Sequence, residues 1–69
     1  MAEALGNRLL ALRTEQGLTQ AALAELVGVS RKTINTVENG VFIPSTLLAL
    51  KLARALARPV EEVFFLEKE

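Results

Sequence analysis

The sequence has no cysteine and no histidine. Disulfides are excluded, and a metal would have to be held by carboxylates alone. The eight acidic residues show no set grouped as such a site needs. There is also no glycine-rich loop to cradle a phosphate, and the carboxylates fall as helix caps and surface charges, not as a paired acid and base. Neither an enzyme nor a cofactor is expected. No apolar run approaches the roughly 20 residues of a membrane helix. The first residues, Met1-Ala2-Glu3-Ala4-Leu5-Gly6-Asn7-Arg8, lack the basic-then-apolar order of a secretory signal, so a cytoplasmic protein is expected. Net charge is absent too, with eight basic residues against eight acidic. A nucleic-acid binder ordinarily has a basic surface, but here the charge is unevenly placed. Residues 1–58 hold seven cations against four carboxylates, a net +3; residues 59–69 hold one against four, a net −3.

What is present is a 69-residue chain that is 51% hydrophobic, which predicts one folded domain over residues 1–69. A chain of this size buries only about 60% of its unfolded surface and is marginal alone. With disulfides and metal set aside, oligomerisation is the remaining support. Four glycines and two prolines punctuate the chain at expected helix ends. The reading is all-α, with five helices and no sheet-forming core. Leu5, Leu9 and Leu12 form an apolar stripe that predicts helix 1 from Glu3 to Gln16, stopped by Gly17. Thr19 caps a second helix carrying Leu23, Leu26 and Val27, which Gly28 ends. Ser30 caps a third, with Ile34 and Val37 inward, up to Gly40. Pro44-Ser45 opens a fourth, with Ala49, Leu52, Ala53 and Leu56 on one face. Pro59 opens a fifth, which turns Val60, Val63 and Phe64 inward. Residues Val63-Phe64-Phe65-Leu66 could instead form a short C-terminal strand, because their β-propensity is high.

The informative stretch is residues 19–40. Two short helices joined by a three-residue turn containing Gly28 form the helix-turn-helix pattern, whose second helix enters the DNA major groove. Ala24 is small enough for the helices to pack closely, and Val29 plugs the angle between them. Rotating the second helix by about 100° per residue collects Lys32, Asn35, Thr36 and Asn39 on the face opposite Ile34, with Arg31 and Thr33 at its flanks. Glu38, the helix's one acid, falls beside the buried side. A solvated face normally mixes both signs of charge; a face aimed at phosphates and base edges carries no carboxylate.

From Asn7 to Phe64 the chain resembles the phage-repressor (lambda/434 and Cro-like, Xre-type) helix-turn-helix family. The resemblance lies in Leu12-Arg13, Gly17-Leu18-Thr19-Gln20, Leu23-Ala24, Val27-Gly28-Val29-Ser30, Thr33-Ile34, Glu38-Asn39-Gly40 and Pro44-Ser45. It implies a five-helix lambda-repressor-like DNA-binding domain that regulates transcription, by repression, on a palindromic operator in double-stranded DNA. By the same resemblance Gln20 and Asn39 contact phosphates. Ser30, Arg31, Lys32, Thr33, Asn35 and Thr36 lie at the groove, with Arg31, Lys32, Asn35 and Thr36 at the base-facing positions. Arg13 and Glu38 form a buried ion pair. The chain departs from the family pattern in Ala21-Ala22, where acidic residues are frequent, and in the apolar loop Val41-Phe42-Ile43.

Apolar residues remain that no helix needs for its core: Phe42, Ile43, Leu47, Phe65 and Leu66. They predict a homodimer interface beside the recognition helix. The competing reading is a protein-interaction module, such as an antitoxin, that keeps the fold but acts through a protein partner. The neutral charge and the apolar loop favour that reading; the acid-free helix face opposes it.

Overall fold

The structure, a computed structural model, describes residues 3–68. In chain order these form β1 (Glu3–Asn7), α1 (Leu9–Glu15), α2 (Gln20–Val27), α3 (Arg31–Glu38), α4 (Thr46–Leu56), α5 (Val60–Val63) and β2 (Phe64–Lys68). The three middle helices start where side chains can satisfy their unpaired amides. Thr19 Oγ1 accepts from Ala22 N at 3.0 Å, Ser30 Oγ from Thr33 N at 3.2 Å, and Ser45 Oγ from Leu48 N at 3.1 Å. Gly28 sits at φ 76°, a left-handed conformation that only glycine adopts without strain. It turns the chain so that Val29 N reaches Ala24 O at 3.0 Å.

The core comprises Leu9, Leu12, Leu23, Val27, Ile34, Val37, Leu48, Leu52, Leu56, Val63 and Phe64, with Ala24 and Ala53 allowing close helix approach. Five helices therefore lie where the sequence places them, with three differences. Helix 1 does not begin at Glu3: residues Glu3–Asn7 are a strand, antiparallel to β2, with Glu3 opposite Lys68, Leu5 opposite Leu66 and Asn7 opposite Phe64. The helical stripe of Leu5 with Leu9 and Leu12 is thus coincidental. Gly6 disfavours a helix there, and Asn7 Oδ1 accepts from Leu9 N at 3.0 Å, stopping the strand and starting α1. The second difference is that the described residues include a two-stranded sheet, built from both ends of the chain; β2 is the C-terminal strand that the composition allowed. The third is Leu26, which faces solvent at 62% exposure while Leu48 occupies the core. α4 ends without a glycine: Ala57 takes the left-handed conformation, φ 55°, and Arg58 N bonds back to Ala53 O at 3.1 Å.

Candidate nucleic-acid interface

α3 is held by one face. Ile34 and Val37 are buried in the core, and Thr36 O receives the amides of Val41 and Phe42 at 2.9 and 3.2 Å, folding the following loop back on the helix. The opposite face presents Arg31, Lys32, Asn35 and Asn39 to solvent, with Thr33 and Thr36 half-buried at its margins. Glu38 is absent from that face because it is engaged inside. Its Oε2 accepts from Arg13 Nε at 2.6 Å; its Oε1 accepts from Arg13 Nη2 at 3.2 Å and from Gln20 Nε2 at 3.0 Å. The Arg13 and Glu38 side chains are 12% and 5% exposed. Arg13 also donates to Leu18 O at 2.9 Å. Its hydrogen bonds to Glu38 raise the guanidinium pKa above the ordinary value, against the opposing effect of burial. The contribution of this pair from the arginine side is therefore present throughout the range in which arginine is charged, and is lost only as pH rises through the raised pKa.

Gln20, at the start of α2, joins the two halves of the motif. Besides Glu38 it donates to Asn35 Oδ1 at 3.2 Å. Asn39 Nδ2 donates to the same oxygen at 3.2 Å and to Asn35 O at 2.9 Å. Both lone pairs of the Asn35 amide oxygen are occupied, which leaves its N–H groups as the outward chemistry. Thr33 and Thr36 are bound locally, Thr33 Oγ1 to Ser30 Oγ at 3.0 Å and Thr36 Oγ1 to Thr33 O at 2.9 Å. The outer face of α3 is thus braced and offers donors and cations.

A family model described as helix-turn-helix matches residues 9–63. The chain belongs to the helix-turn-helix transcriptional regulators. It is 44% identical over 63 residues to YgzD of Bacillus subtilis (strain 168), an HTH-type transcriptional regulator, covering 91% of this chain and 96% of that one. Among solved structures, the restriction-modification controller protein C.AhdI of Aeromonas hydrophila is 44% identical with a TM-score of 0.76, over 80% of this chain and 83% of that one. The P22 c2 repressor, solved in complex with a synthetic operator, is 33% identical with a TM-score of 0.76, over 78% and 82%. The regulator is accordingly a lambda-repressor-like DNA-binding protein and not an enzyme. Among its described residues no helix is long and apolar enough to cross a membrane.

The five apolar residues singled out in the sequence do not all meet. Phe42 and Ile43 share a shallow hollow with Leu5, Asn7, Val37 and Phe64. Leu66, opposite Leu5 in the sheet, extends this surface and is 73% exposed. Leu47 lies on the other side of Phe42, in a second hollow with Val27, Val29 and Lys51. Phe65 points to the opposite sheet face, where it covers Gly6 and carries the Arg8 guanidinium 4.5 Å above its ring. Leu5 is the residue of this surface that sequence reasoning missed; as a supposed helix position it counted as core. Arg58 makes two exposed ion pairs. It lies beyond α4 and bonds the carboxylates of Glu15 and Glu62, tying α1 to α5.

Proposed function

We propose that this regulator is a sequence-specific binder of double-stranded DNA that represses transcription, working in the cytoplasm as a homodimer on a two-fold operator. The observation that carries this reading is the outer face of α3, which holds Arg31, Lys32 and the Asn35 N–H groups and no carboxylate, the helix's one acid being withdrawn into the Arg13–Glu38 pair. With α3 in the major groove, Arg31 and Lys32 donate to guanine O6 and N7. Asn35, its oxygen already engaged, donates to a purine N7 or to an O6 or O4 acceptor. Gln20, Ser30, Thr33, Thr36 and Asn39 line the groove edge toward phosphates, which fix register without reading sequence. The operator complex of the similar P22 c2 repressor supports the choice of partner. The surface of Phe42, Ile43, Leu5 and Leu66 lies at the C-terminal end of α3, where a two-fold contact sets two recognition helices side by side. Leu47 flanks it.

Selection of bound sites from random duplexes tests the proposal. The expected result is an inverted repeat whose half-sites are centred about one helical turn, roughly 10–10.5 base pairs, apart. Enrichment of a single asymmetric site, or of none, overturns it.

A further inference from the structure

We infer that two copies of the regulator join through the outer edge of β2, strand against antiparallel strand about a dyad at Leu66, to make one four-stranded sheet. The inference rests on the homodimer reading above and specifies its surface.

The ladder itself says which backbone groups are free. Arg8 N donates to Val63 O at 2.9 Å, in the same register that pairs Asn7 with Phe64. Antiparallel pairs alternate between hydrogen-bonded and non-hydrogen-bonded. Gly6–Phe65 and Ala4–Glu67 are therefore bonded pairs, whereas Leu66 and Lys68 turn their N–H and C=O groups, and Phe64 its C=O, away from β1; the Phe64 N–H is held by Val60 O at the end of α5. Such an edge is a template for another strand unless proline, a bulge or charge blocks it. The apolar half of β2, Phe64-Phe65-Leu66, has none of these.

β1 has an outward edge as well, but the two edges differ. Leu5 and Leu66 are register partners on one face, yet Leu5 is 36% exposed and Leu66 73%. The hollow formed with Phe42 and Ile43 shields the β1 side and leaves the β2 side open. Joining β1 of one copy to β2 of the next would give an open-ended array, while a β2–β2 contact closes on itself.

The register follows from the outward backbone groups and from charge. A dyad at Leu66 bonds the outward N–H and C=O of Leu66 to those of its copy, and the Lys68 N–H of each copy to the Phe64 C=O of the other. A dyad at Glu67 would set two carboxylates face to face. With the dyad at Leu66, Glu67 of one copy lies across from Phe65 of the other, on whose ring Arg8 is stacked. Glu67, which makes no ion pair among the described residues of its own chain, then meets a cation.

Cysteine scanning tests this cleanly, because the chain has no cysteine of its own. Across the dyad the two Leu66 Cα atoms stand about 5.5 Å apart, within the disulfide range of about 4.4–6.8 Å. Leu5 of the two copies is three strand spacings apart, about 14 Å. Under oxidation Leu66→Cys should form a linked dimer that still binds the selected operator, and Leu5→Cys should not. Leu66→Pro removes only an outward N–H, so the monomer should keep its helical circular dichroism while the dimer dissociation constant rises on the order of 100-fold by sedimentation. A sedimenting wild-type dimer in which Leu66→Cys fails to link, Leu5→Cys links instead, or a folded Leu66→Pro still pairs overturns the inference and leaves the homodimer reading standing. A wild type that is monomeric on its operator overturns both.

Discussion

Removing one partner from the Arg13–Glu38 pair leaves the other charge among groups sheltered from water, at a cost of roughly 3–5 kcal/mol. A domain this small holds little more than that in total. Arg13→Ala also abandons Leu18 O, and is expected to show no cooperative thermal transition above ambient temperature. Arg13→Met combined with Glu38→Leu removes both charges and should melt cooperatively; a near-native melt of Arg13→Ala would mean that the pair contributes little. The same cluster separates two kinds of DNA contact. Asn35→Ala should relax preference at one base position by about 1–3 kcal/mol, while Gln20→Ala, at a position proposed to face a phosphate, should weaken all sites and, by freeing the Asn35 oxygen, broaden the base accepted at that one position. Binding profiles over a randomised site library distinguish them, and uniform weakening by Asn35→Ala would count against base reading. The positions of these side chains were legible in the sequence, because helical rotation alone puts Glu38 beside Ile34 and Asn35 away from it. The orientation of the Asn35 amide was not. It depends on Gln20, fifteen residues earlier, and on which lone pairs the neighbours fill.

At the scale of elements, the sequence marks helices well where a cap or a glycine states the boundary in chemical terms. Thr19, Ser30 and Ser45 accept the amides expected of them. It marks them poorly where tertiary packing decides. β1 carries a weak pattern of five residues, and its conformation is settled by a strand from the other end of the chain. Gly6 shows why that strand needs a glycine. A Cβ there would lie 2.8 Å from Phe65 Cζ and nearer still to Cε1, with the ring held between Gly6 and Arg8. Gly6→Ala is expected to destabilise by about 1–3 kcal/mol through overpacking, read as a lowered melting temperature, and Phe65→Leu should restore part of the loss. The end of α4 has no sequence signal, since Ala57 adopts the left-handed conformation without being glycine. That conformation costs about 1–2 kcal/mol for an L-residue, and glycine loses about 0.4–1 kcal/mol through its freer unfolded chain. Ala57→Gly should therefore stabilise by up to about 1 kcal/mol, a rise of a few degrees in Tm by calorimetry; a fall would show that the turn is unstrained.

For the whole molecule, zero net charge means weak electrostatic attraction of one copy to DNA, and in the proposed homodimer two copies would double the phosphates engaged. Each phosphate contact contributes about −0.9 to the slope of log K against log salt. The slope on a full operator should be twice that on an isolated half-site duplex, measured by fluorescence anisotropy across a salt series; equal slopes would mean that one copy makes all the contacts. The apolar excess that points to pairing is visible in the sequence as Phe42, Ile43 and Leu66, but its division between two sheet faces, with Phe65 on the other side, needs the β1–β2 register. That register also orders events in time. α2 and α3 are joined by a short turn and can meet early, whereas pairing Asn7 with Phe64 closes most of the chain into one loop, whose entropy cost grows with its length. Non-local ladders of this kind form late. Phe65→Ala should thus speed unfolding and leave the refolding rate nearly unchanged in stopped-flow measurements. A sheet that forms last and opens first would let each newly folded copy complete its recognition helix before it acquires the edge on which the proposed second copy docks.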